Sequence, residues 1–131
     1  MLKDHKGIKI CRKCYNLCNV CNCNEGFIDV DKGMLFIVQT FNLKGYHTIG
    51  CCEGHEVEEL YEETGKRIFD GYIAFEKDYD FNIPIPKIFQ TRFGTDRLKD
   101  CLFIQAKDIS KEEFLKTLTD WALALDNLEV E

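Results

Sequence analysis

Five cysteines fall within thirteen residues near the start of the chain: Cys11, Cys14, Cys18, Cys21 and Cys23. This density limits what the stretch can fold into. A tetrahedral ion such as zinc takes about four soft ligands, and a Cys-x-x-Cys turn brings two sulfurs to one point while aiming backbone N–H groups at them. Two such turns, Cys11 to Cys14 and Cys18 to Cys21, follow one another with only Tyr15, Asn16 and Leu17 between. Residues 1–30 are therefore expected to form a cysteine-rich metal-binding segment, in which an ion supplies the cohesion that apolar contacts cannot. The simplest ligand set is Cys11, Cys14, Cys18 and Cys21. Cys23 is a substitute ligand, and Cys51 or Cys52 offers a way to complete the site from the rest of the chain.

The local chemistry sharpens this expectation. A cysteine knuckle favours, near its second cysteine, a residue that tolerates left-handed backbone angles. Asn22 after Cys21 meets that need, and Tyr15 after Cys14 fits less well. Two knuckles on separate hairpins typically lie some 15 to 20 residues apart, so the short spacing here calls for one compact loop around the ion. An iron–sulfur cluster is the rival, but the ferredoxin run has a third evenly spaced cysteine and a later Cys-Pro, and this sequence has neither. Zinc is the expected cofactor, in a structural role, because four sulfurs leave no open position for a substrate.

The totals bound the rest of the chain. With 131 residues, it has the length of one domain, and 45% hydrophobic residues including ten phenylalanines are enough to pack a core. A formal net charge of −6 argues against nucleic acid as a partner, since non-specific affinity for it comes from neutralising phosphates with Lys and Arg. No segment approaches the roughly 20 apolar residues of a membrane span, and MLKDHKGIKI is too polar for a secretory core. A cytoplasmic location is expected, where eight cysteines read as ligands or reactive thiols before they read as disulfides.

Residues 31–131 carry the periodicities of an α+β domain. Met34, Ile37, Val38 and Phe41 recur at helical spacing and Gly45 follows where a glycine cap belongs, which predicts a helix over 32–44. Strands are predicted at 46–52, 71–76 and 100–106 from β-branched and alternating residues, and 87–93 is either a short helix or extended. The glutamate-rich stretch 53–70 reads as a solvated loop or a short exposed helix. Ser110 followed by Glu113 forms a capping pair ahead of Phe114, Leu118, Trp121, Ala122 and Leu125, which predicts a helix over 110–126. The order favours a small sheet of about three or more strands packed by two helices, preceded by the zinc-knuckle-like segment.

A second constellation, Cys51, Cys52, Glu53, Gly54 and His55, falls at a predicted strand end. Cys52 is a candidate nucleophile with His55 as its base, the imidazole drawing off the thiol proton. Alternatively His55 and one cysteine are metal ligands, with His47 as a third, in an open site that activates water. The plainer reading places one cysteine in the core as a small hydrophobe, because adjacent strand residues face opposite ways. Cys101 and Trp121 read as core residues.

From Phe41 onwards, FNLKGYHTIGCCEGH, then GYIAF, then LTDWALAL resembles a group of small bacterial and phage-associated proteins with a Lys-Gly-Tyr-x-Thr strand leading into Cys-Cys-x-Gly-His. That resemblance covers most of residues 33–127 and implies a compact α/β domain, without an activity to carry over. More remotely, the turn is similar to that of the tRNA wybutosine-synthesis methyltransferase family, Ser-Cys-Ser-Gly-Arg. Cys52, Glu53 and Gly54 align with Cys-Ser-Gly, and His55 stands in place of the Arg. This second resemblance implies a role in RNA modification. The expectation carried forward is a cytosolic zinc-binding module with a protein or small-molecule partner, with a thiol- or metal-dependent enzyme using Cys52 and His55 as the alternative.

Overall fold

The computed structural model describes residues 8–24, 26–52, 71–106 and 109–128. The first described elements are an antiparallel hairpin of β1 (Ile8–Cys11) and β2 (Phe27–Val30), in register from Ile8 opposite Val30 to Cys11 opposite Phe27. This hairpin adds regular structure to a segment whose cohesion the sequence ascribes to a bound ion alone. Its physical basis is a short apolar alternation, with Ile10 and Val30 both fully buried in the main core. The loop between its strands carries the cysteines.

A 3-10 turn at Lys32–Met34 leads into α1 (Leu35–Leu43), so the helix expected over 32–44 begins with a tighter first turn. Gly45 sits at φ +98°, and N–H groups of Gly45 and Tyr46 bond back to the carbonyls of Asn42 and Phe41, a Schellman closure. A side chain at Gly45 would also crowd Leu128, whose Cβ lies 3.0 Å from where that side chain would start. The turn therefore requires glycine on two counts.

A four-stranded antiparallel sheet follows, in the order β3 (Thr48–Cys52), β4 (Tyr72–Phe75), β6 (Leu102–Gln105), β5 (Gln90–Phe93). The stretch 87–93, open between helix and strand in the sequence, ends as the exposed edge strand β5. Ile73 opposite Ile104 and Phe75 opposite Leu102 form the buried face. The other face carries Tyr72, Phe103 and Arg92, whose guanidinium lies 4.4 Å from the Phe103 ring centroid. The last element, α2 (Lys111–Ala124), starts where expected: Ser110 Oγ accepts the Glu113 N–H at 3.1 Å.

Among the described residues the fold is α+β, with two helices and two antiparallel sheets. Ile37, Val38 and Phe41 of α1 and Phe114, Leu118 and Trp121 of α2 meet the sheet in one core. Phe41 sits edge-on to both Phe75 and Trp121, at centroid distances of 5.0 and 5.4 Å. Trp121 also donates its indole N–H to the Ile83 carbonyl at 2.9 Å, which pins the Ile-Pro-Ile-Pro segment across the core. Among the described residues no helix is long and apolar enough to cross a membrane.

Candidate metal centre

The β1–β2 hairpin brings the two ends of its loop together, and the cysteines follow from that closure. Cys11 is the last residue of β1 and lies opposite Phe27, so loop residues just before β2 return to its side. The loop also folds back along β1: Leu17 bridges to Ile10, and the Cys18 N–H bonds to the Lys9 carbonyl at 3.1 Å. As a result, the thiols of Cys11, Cys14, Cys21 and Cys23 all lie within 4.8 Å of one another, a group that could hold a metal ion. A tetrahedron built on Zn–S bonds near 2.3 Å has edges of about 3.8 Å, so a small contraction suffices to close it on one ion.

Three of the four residues in the simplest sequence-derived set, Cys11, Cys14 and Cys21, belong to this group, and Cys23 joins them. Cys18 is outside it. Left-handed backbone angles fall at Tyr15 (φ +62°) and Asn24 (φ +56°), directly after Cys14 and Cys23. The expectation that Asn22 serves the second knuckle is corrected by this: the turn closes one cysteine later, and Asn24 supplies the tolerant residue.

The first knuckle has the N–H to sulfur bonds that favour thiolate. Cys11 Sγ accepts from the backbone N–H groups of Lys13 at 3.3 Å and Cys14 at 3.4 Å. The Cys14 and Lys13 amides outweigh burial and lower the Cys11 thiol to about 6. Cys23 and Cys21 meet the opposite influence. Hydrogen bonds with Cys14 and Cys11, then burial and their charge, push Cys23 up to about 12. For Cys21 the Cys23 backbone amide pulls down, but burial together with Cys11 and Cys14 raises the thiol overall. Negative charge is thus accepted at Cys11 and resisted at Cys21 and Cys23, and a shared cation is what relieves that resistance.

Tyr15 ties the knuckle to the domain. Its N–H bonds to the Cys11 carbonyl at 2.9 Å, its carbonyl accepts Gln39 Nε2 from α1 at 2.8 Å, and its hydroxyl meets His47 Nδ1 at 3.0 Å. These partners hold a bulky residue at a positive φ, a conformation that otherwise costs on the order of 1–3 kcal/mol. His47, read from sequence as an alternative metal ligand, is placed by this hydrogen bond beside Tyr15 and outside the cysteine group. No sequence signal pointed to Gln39 as its anchor.

The second constellation is only partly described. Cys51 and Cys52 end β3, opposite Ile73 and Tyr72, and Cys51 packs against the hydrophobic core, as one cysteine of the pair was expected to do. Both lie outside the group of four. His55 and the acidic stretch 53–70 lie outside the described residues, so the Cys52–His55 pairing has no geometry here. Cys101 is buried, as is Trp121. No protein family, curated protein or solved structure matches the chain.

Proposed function

We propose that this chain is a cytosolic zinc protein in which Cys11, Cys14, Cys21 and Cys23 hold one structural ion, and that it acts as a binding module. The observation that carries this reading is the approach of four thiols within 4.8 Å. Sulfurs this close suit a single ion, whereas a multi-iron cluster spreads its cysteine ligands over several metals. Four thiolates saturate a tetrahedral ion, so the centre orders the loop and leaves no position for substrate. The interaction role is supported by apolar side chains presented to solvent around the centre: Val20 of the loop is 68% exposed, and Phe27, where β2 begins, is 45% exposed.

Native mass spectrometry of protein purified without refolding tests the reading. The expected result is one zinc per chain with four thiols protected from alkylation. Metal-free protein with all thiols labelled equally, or iron accompanied by inorganic sulfide, would reject it.

A further inference from the structure

Cys18 is left out of the four-sulfur group but not out of its surroundings. It lines the same pocket of about 370 Å³ as Cys11 and Cys21, together with Asn22, Asn24 and Phe27. It also shares a backbone turn with Cys21. The N–H groups of Val20 and Cys21 both bond to the Leu17 carbonyl, at 2.9 and 3.3 Å, so residues 17–21 form one hydrogen-bonded turn. Cys18 and Cys21 stand at the two ends of a Cys-x-x-Cys across that turn, the spacing of redox-active cysteine pairs. Its start is fixed to β1 through the Cys18 N–H bond to Lys9. The fold therefore holds one thiol outside the metal group within a turn of one thiol inside it.

We propose that Cys18 and Cys21 are a redox pair, in which a peroxide-class oxidant closes a Cys18–Cys21 disulfide and withdraws Cys21 from the metal. This rests on the metal-binding reading above. The Cys18 thiol attacks the peroxide, taking one oxygen to become a sulfenic acid and releasing one water. The Cys21 sulfur, as thiolate, then attacks the Cys18 sulfur. The S–S bond forms, the S–O bond breaks, and the departing hydroxide takes a proton to leave as a second water. Two electrons pass from the two sulfurs to the peroxide. The ion keeps three thiolates, an incomplete set that a chelator can empty.

The test treats zinc-loaded protein with stoichiometric hydrogen peroxide beside a chromogenic chelator, with disulfides mapped by peptide mass spectrometry. Wild type is expected to release its metal as the Cys18–Cys21 bridge appears. Cys18→Ser is expected to load zinc normally and to release it roughly tenfold more slowly, since direct oxidation of a metal-bound thiolate is the route left. Cys18→Ala repeats the measurement without a hydroxyl, and zinc loading in both variants reports that the loop has folded. Equal release from wild type and both variants, or a bridge joining Cys21 to any other cysteine, would overturn the pairing while leaving the metal centre standing. A Cys18–Cys21 bridge in protein that carries no metal before oxidation would reject the metal withdrawal and the zinc reading with it.

Discussion

Tyr15 Oη lies 3.0 Å from His47 Nδ1, a side-chain link between the first cysteine knuckle and the segment that enters β3. The two residues are 32 apart in sequence. Tyr15 directly follows a candidate ligand, and His47 belongs to the α+β body, where its N–H bonds to the Tyr79 hydroxyl and its carbonyl accepts the Glu76 N–H. Order at the cysteines is thereby transmitted to the sheet edge through one hydrogen bond and the Gln39 contact to the Tyr15 carbonyl.

Metal removal is expected to be felt at His47 although His47 is not a ligand in the group of four. Chelation should shift the His47 ring signals in NMR spectra of the wild type, and the shift should shrink in Tyr15→Phe, which lacks the hydroxyl. Trp121 is the only tryptophan in the chain and is buried with Phe41 in the core. Its fluorescence should stay native on chelation, because that core is built from α1, α2, the four-stranded sheet and the strands of the β1–β2 hairpin rather than from the cysteine loop between them. A collapse of Trp121 fluorescence on metal removal would refute this separation.

Asn42 joins α1 to β3 from inside the protein. It is 3% exposed; its Nδ2 donates to the Val38 carbonyl and Thr48 Oγ1, and its Oδ1 accepts the Thr48 N–H at 3.1 Å. Asn42→Leu keeps the bulk but orphans the Thr48 N–H and hydroxyl. A loss of roughly 2–4 kcal/mol in urea unfolding is expected from those unsatisfied groups. Double replacement with Thr48→Val should recover part of it, since the hydroxyl then needs no partner.

Lys44 closes the other helix. Its ammonium donates to the carbonyls of Ala122, Leu123 and Leu125, at 2.8, 2.9 and 2.5 Å, at the C-terminal end of α2 where the helix dipole favours a cation. Lys44→Met keeps the apolar stem and removes three charge-assisted bonds in a partly solvated place, for an expected loss of about 1–2 kcal/mol. Lys44→Arg should not restore full stability, because a planar guanidinium cannot point at three carbonyls converging on one atom. Thermal unfolding of the three proteins checks the order.

Elements whose stability is local were legible in the sequence. Ser110 and Glu113 with the apolar stripe from Phe114 to Leu125 marked α2, and Gly45 marked the end of α1, because caps and 3.6-residue periodicity are short-range signals. The β1–β2 hairpin was not legible: Ile8 and Ile10 alternate over a single step, and only burial of Ile10 and Val30 in the distant core fixes them as strand residues. That hairpin also decides which thiols meet. By setting Cys11 beside Phe27 it draws in Cys23, four residues before Phe27, ahead of Cys18, a choice that cysteine spacing alone leaves open. Likewise Asn24 rather than Asn22 takes the left-handed angle because the chain must turn there to enter β2.

The same geometry fixes how the centre responds to pH. A metal needs thiolates, so every sulfur still protonated must release a proton on binding, and affinity must rise with pH. Cys11, lowered to about 6, is already ionised at neutral pH, whereas Cys23, pushed up to about 12, is not, and Cys21 is raised in the same direction. More than one proton should therefore be displaced per zinc. Competition titrations should give an association constant that climbs by more than about tenfold per pH unit between pH 6 and 8. For the metal-free chain the sign differs by residue. Unfolded cysteine titrates near 8.5, so the lowered Cys11 adds stability that is complete above that value and lost as pH falls toward about 6. The raised Cys23 adds stability that is complete below 8.5 and lost as pH climbs toward about 12. Urea midpoints measured with a chelator present should peak near pH 8 to 9. A flat profile across that range would mean the sulfurs are not in the mutual contact on which the metal centre depends.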